Sequence, residues 1–133
     1  MIRRYIVRTD PRTKKNSMDV YVNPKTGKPI VRQSKAYREY EDECGWQLLP
    51  RPRKPIACPV IVKEVFYMGT RRKVDLNNLI AAMDDILVKF RILEDDNCRI
   101  VIGHDGSRVR YDKQNPRIEI TITEVGNGRQ ENF

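Results

Sequence analysis

Six carboxylates stand close together in the chain: Asp75, Asp84 and Asp85 in "KVDLNNLIAAMDDIL" (73–87), then Glu94, Asp95 and Asp96 in "ILEDDNCRIV" (92–101). Crowded carboxylates have two ordinary uses. They solvate a helix face and the turn after it, or they hold a divalent cation through oxygen ligands. The second use has a chemical consequence, because a cation beside a phosphodiester activates water and steadies the leaving oxygen. The 133-residue chain carries a formal net charge of +8. Residues 1–54 hold 14 Lys+Arg against 6 Asp+Glu, and residues 55–133 hold 12 of each. A basic surface attracts phosphate regardless of base sequence. Acids set in such a chain suit a polyanionic substrate and cation-dependent chemistry, although a basic surface also serves plain solubility.

Asp75 opens a predicted helix directly after "RRK" (71–73). As a helix-start carboxylate it meets the positive end of the macrodipole. Beside Arg71, Arg72 and Lys73 it also stands where a phosphate and its metal could meet. With residues 75–90 placed at about 100° per residue, Leu76, Leu79, Ile80, Met83, Ile86, Leu87 and Phe90 form the core stripe. Asp75, Asn78, Ala82 and Asp85 form the stripe beside it. Asp84 is expected on the solvent side, outside any chemistry. One Asp from the helix start and one or two from the "EDD" turn (94–96) could serve Mg²⁺, which takes one or two carboxylates together with waters and substrate phosphate. The single histidine, His104, is expected to be a surface or core residue rather than a general base. Cys44, Cys58 and Cys98 are widely spaced, form no Cys-x-x-Cys pair, and read as free thiols rather than a zinc or disulfide framework.

The elements that must position these groups follow from periodicity. "RRYIVRT" (3–9) reads as a strand with Tyr5 and Val7 on one face. A polar loop with Pro11 and basic residues Arg12, Lys14 and Lys15 follows, then a hairpin over 18–33 with its turn at "NPKTG". Ser34 is placed to cap a helix over 35–49, in which Tyr37, Tyr40, Cys44 and Leu48 recur at helical spacing. Pro50, Pro52 and Pro55 stop it in a stiff basic connector. Residues 58–69 read as a long strand, 99–112 as a strand with a turn or bulge at "HDG", and 116–125 as a half-buried strand pointing Ile118, Ile120 and Ile122 one way. The class is α+β: a single domain over 1–125 with a mixed β-sheet packed by two main helices, and a frayed tail over 126–133. No apolar run approaches the roughly 20 residues of a membrane span, and the start lacks a signal-peptide pattern. The expectation is a cytoplasmic protein without membrane association or small-molecule cofactor.

The ordered pattern "VDLNNL", "MDDIL" and "ILEDDNCRIV", with the early loop "PRTKKNS" and the late strand "EITITE", resembles the RusA family of Holliday junction resolvases, common in phages and prophages. The resemblance spans most of the chain. It implies a homodimer of small α/β subunits that cuts four-way DNA junctions with symmetric nicks, using Mg²⁺ or Mn²⁺. It assigns metal binding to Asp75 and to Asp96, the second acid of the D-D pair, and matches Asn78 and Asp95 to the motif's asparagine and other acid. Two positions depart from the family. Asn77 stands where the best-known members have a third acid, and Ala81 where they have a lysine. Asn77 offers only a neutral carbonyl, so Asp85 or Asp105 would have to compensate; Lys73, Arg71 or Arg72 would stand in for the lysine. DNA contacts are expected from Arg12, Lys14, Lys15, Arg71, Arg72 and Lys73. The alternative implied by the two departures is a branched-DNA-binding protein of the same fold with weakened catalysis.

Overall fold

Period-two alternation builds the sheet. The structure, a computed structural model, describes residues 1–14 and 18–126. Strand β1 (Ile2–Val7) buries Tyr5 and Val7 and leaves Ile2 and Ile6 exposed. It pairs antiparallel with β7 (Arg117–Glu124), setting Tyr5 opposite Ile120 and Val7 opposite Ile118. β7 pairs antiparallel on its other side with β4 (Val60–Met68), setting Val62 opposite Ile122, Glu64 opposite Ile120 and Phe66 opposite Ile118. One face of the sheet thus gathers Tyr5, Val7, Val60, Val62, Phe66, Met68, Ile118, Ile120 and Ile122, all buried. Each such aliphatic or aromatic side chain contributes about 1.5–3 kcal/mol relative to exposure.

The far edge of β4 is parallel. It pairs first with β5 (Val101–Gly103) and then with β6 (Arg108–Tyr111), the two being halves of one path broken at residues 104–107. Gly106 turns that break at φ +85°, a conformation costly for a residue with a Cβ. The predicted interruption at "HDG" lies at this position. The sheet is therefore mixed, in the order β1-β7-β4 with β5 and β6 on the last edge.

Two helices cover the apolar face. α1 (Lys35–Gln47) begins at Ser34, whose hydroxyl accepts the Tyr37 N–H at 3.1 Å. It buries Tyr37, Tyr40 and Cys44, and Leu48 follows them into the core. α2 (Leu76–Lys89) buries Leu79, Ala82, Met83, Ile86 and Leu87. The helices meet at Gly45, where an added Cβ would lie 2.1 Å from the Phe90 ring. The α2 end is closed by Arg91 at φ 64°, with its N–H donated to Val88 O and the Ile92 N–H donated to Leu87 O. That pair of bonds is a Schellman closure. The hairpin β2 (Met18–Val22) with β3 (Pro29–Gln33) forms a separate two-stranded sheet. No described helix is long and apolar enough to cross a membrane. Residues 15–17 and 127–133, and with them Lys15 and nearly all of the expected tail, lie outside the described residues.

Candidate metal and nucleic-acid site

The β4–α2–β5 crossover carries the acids. Asp75 is the N-cap of α2: its Oδ1 accepts the Asn77 N–H at 2.9 Å, and its carbonyl accepts the Asn78 N–H at 3.1 Å. Asn77 is exposed and Asn78 half-buried. Just before them, Arg71 lies over the Tyr111 ring at 4.0 Å. Arg72 is tied to Asp10, Thr70 and the Pro11 carbonyl, and Asp10 also receives the Gly69 N–H. Lys73 and Arg12 are exposed and, among the described residues, enter no ion pair.

The remaining acids gather further along α2. From Asp75 to Asp84 the helix rises about 13 Å. Asp85 accepts the Lys14 ammonium at 2.6 Å, which ties the early basic loop to this side of α2. Asp96 is exposed in the turn after α2, yet its carboxyl is pushed above the usual range, first by partial burial and then by Asp85, Asp95 and Asp84. Asp95 goes the other way, because its two oxygens accept the Asp96 N–H and the Asn97 side-chain amide. Asp105 stands exposed in the 104–107 turn and its charge reaches His104. Asp96 therefore keeps company with Asp84, Asp85 and His104. No hydrogen bond or ion pair among the described residues joins it to Asp75.

The most closely packed ligand set is one the sequence reading did not assemble. Glu64 on β4, Asp84 on α2 and His104 after β5 each offer a ligand atom within 4.8 Å of the others. No other described trio of His, Cys, Asp or Glu is this close. Glu64 is 0% exposed and Asp84 4%. The Asp84 Oδ2 lies 2.7 Å from His104 Nε2. Neither Glu64 oxygen nor the Asp84 Oδ1 has a donor. Burial, then the adjacent Asp84, drives the Glu64 carboxyl far up. Without a metal ion, a proton held between Glu64 and Asp84 would relieve the two, with His104 hydrogen-bonded to Asp84. The hydrogen bond to Asp84 raises the His104 imidazole, with burial opposing.

The expected solvent position of Asp84 is thus overturned. On the helical wheel Asp84 sits about 40° from Ile80, on the flank of the apolar stripe rather than opposite it. The sheet covers one side of that flank, and the turn bearing His104 closes the other. Glu64 also had a signal: it shares its parity in β4 with Val60, Val62, Phe66 and Met68, so period two points it into the core.

A second cationic region is a hollow lined by Arg51, Arg53, Lys89 and Arg91 around Phe90. Arg51 stacks over that ring at 5.4 Å, and Lys89 pairs with Glu41.

A family model described as endodeoxyribonuclease RusA matches residues 8–123 of the chain. The chain belongs to the RusA endodeoxyribonuclease family. No curated protein matches it as a relative. The RusA match runs from just after β1 to near the end of β7, so it takes in all the acids described above. The RusA-like fold is the α+β arrangement expected from periodicity, with its mixed sheet and two helices.

Proposed function

We propose that this RusA-family chain is a metal-dependent endodeoxyribonuclease that resolves four-way DNA junctions. One observation carries the reading beyond family membership. In a chain of net charge +8, partial burial, then the Asp85 charge, a hydrogen bond with Asp95 and the Asp84 charge disfavour the ionised form of Asp96. Carboxylates that repel one another within a basic protein are relieved by a divalent cation, and the basic surroundings draw in the phosphate on which that cation acts.

The residues fit such an ion unequally. Among the exposed acids, Asp96 has its charged form disfavoured by partial burial and its acidic neighbours, which a cation would offset. Asp75 uses Oδ1 for its cap and keeps Oδ2 for a ligand; about 13 Å of helix rise from Asp84, it would hold an ion of its own rather than share the one at Asp96. Asp95, with both oxygens engaged, suits orientation of the turn better than coordination. Mg²⁺ or Mn²⁺ there would supply water activation and charge neutralisation at the phosphodiester. The protein's own part is positioning. Lys73 and Asn77 flank Asp75 at the start of α2, where exposed groups can meet a phosphate. Arg12, Lys14, Lys15, Arg71 and Arg72 contribute phosphate attraction, and the hollow at Arg51, Arg53 and Arg91 extends it. Paired nicks across a junction need two active sites, hence a homodimer. Residues 1–125 would serve as the nuclease domain, acting in the cytoplasm.

A second reading has a specific basis. Asn77 lacks the charge of the family's third acid and Ala81 lacks its lysine, so the same fold could hold branched DNA while cutting it poorly. A synthetic four-way junction incubated with protein and Mg²⁺ or Mn²⁺ tests both. Nicking preferred over linear duplex supports the nuclease; tight binding with no nick under either metal supports the second reading.

A further inference from the structure

We infer that Glu64, Asp84 and His104 form a buried site for one divalent transition-metal ion, separate from the ligands proposed at Asp75 and Asp96. Three observations carry it. First, the three ligand atoms come from three different elements, β4, α2 and the turn after β5, and lie within 4.8 Å of one another. An ion about 2.0–2.2 Å from each ligand holds its ligand atoms about 3.0–4.4 Å apart, a spread the three atoms approach once the 2.7 Å hydrogen bond between Asp84 and His104 opens.

Second, Glu64 is wholly buried with both oxygens lacking a donor, and the Asp84 Oδ1 lacks one too. Buried polar atoms are normally paired, and a buried carboxylate without a partner is among the costliest arrangements in a protein. Two carboxylates and one divalent ion sum to zero charge, so the ion neutralises the pocket without any proton. Third, His104 is the part-exposed member, its side chain 29% accessible, which gives an entry path from the surface.

The donor set selects the metal class. Mg²⁺ prefers oxygen alone and keeps several waters, for which a pocket closed by a fully buried Glu and a 4% exposed Asp has little space. Mn²⁺ and Zn²⁺ accept imidazole nitrogen together with carboxylate oxygen. The bound ion pins α2 to β4 and to the 104–107 turn. It thereby fixes Asp85, the next residue after Asp84, and the facing Asp96. These ligands are too buried to reach a DNA phosphate, so the ion is a structural one, and its binding does not depend on the nuclease reading.

His104 is the chain's one histidine, so imidazole nitrogen coupling to a bound ion reports this site alone. The experiment uses tag-free full-length protein, Mn²⁺, pulsed EPR and thermal melting. The expected result is ¹⁴N modulation on the Mn²⁺ signal and a rise in Tm of roughly 8 °C at a hundredfold excess over Kd. The ¹⁴N modulation is lost and the Tm rise reduced in Glu64→Gln and in His104→Gln, and both persist in Asp75→Asn. His104→Gln, at a part-exposed position, covers the case in which Glu64→Gln does not fold. Mn²⁺ bound without nitrogen coupling, or a Tm rise unchanged by His104→Gln, overturns the site. Junction nicking with Mg²⁺ in protein that shows no nitrogen coupling overturns this inference alone. Nitrogen-coupled protein that never nicks overturns only the nuclease reading.

Discussion

Glu64 and Asp84 face each other between β4 and α2 with three of their four carboxylate oxygens lacking a hydrogen-bond donor. A single proton or a cation must offset this, and each leaves a different mark on stability. In metal-free protein, Glu64→Gln removes a buried acid and supplies an amide that can donate to Asp84. An unsatisfied buried polar group costs about 1–3 kcal/mol. Glu64→Gln is therefore expected to raise the metal-free Tm by about 3–9 °C. Melting in EDTA measures this, and a fall in Tm would show that the acid is better satisfied than its contacts indicate.

Asp75 has a capping role and a proposed ligand role that two substitutions separate. Asn caps a helix as well as Asp does, whereas Ala loses about 1 kcal/mol. Asp75→Asn is expected to melt with wild type and to lose junction nicking; Asp75→Ala is expected to lose both. Parallel melting and nicking assays decide this. Full activity in Asp75→Asn would confine the residue to capping.

Gly45 lies inside α1, where Ala normally gains about 1 kcal/mol over Gly. Here the added methyl would meet the Phe90 ring at 2.1 Å. Overpacking costs about 1–3 kcal/mol, so Gly45→Ala is expected to lower stability despite the better helix propensity. Urea denaturation reads the sign directly. A more stable variant would mean that Phe90 moves aside at little cost.

The three thiols differ by burial. Cys98 is exposed, Cys58 half-buried and Cys44 fully buried, and burial pushes the Cys44 thiol up to about 12. Because the thiolate is the reactive form, Cys44 is expected to resist alkylation at pH 8 while Cys98 reacts at once. Mass-resolved labelling over time checks the order. Rapid Cys44 modification in native protein would contradict the packing of α1.

Much of this architecture was legible in the chain. Alternation gave the parity of Tyr5 and Val7 and of Ile118, Ile120 and Ile122, and Ser34 and Asp75 marked the starts of both helices. Those features depend on local periodicity and capping, which a sequence carries directly. The Glu64–Asp84–His104 trio was not assembled because its members are 20 residues apart and come together only through the parallel β4–α2–β5 crossover. The wheel angle of Asp84 and the strand parity of Glu64 were both readable signals. What the chain could not show was that His104, in the turn after β5, comes within 2.7 Å of Asp84. Asp75 and Asp96 illustrate the converse. A family motif names them together, while the helix rise sets Asp75 a long way from the Asp84–Asp85 level beside Asp96.

Cutting of branched DNA by this chain is expected to depend on a divalent cation. Its most direct measurement is a nicking assay on a labelled four-way junction beside the matching linear duplex, with Mg²⁺, Mn²⁺ or EDTA, using wild type and Asp96→Asn. Junction nicks are expected in either metal, none in EDTA, with little cutting of the duplex and loss of activity in Asp96→Asn while junction binding is retained. Wild-type protein that binds the junction and leaves it uncut in both metals would contradict this expectation.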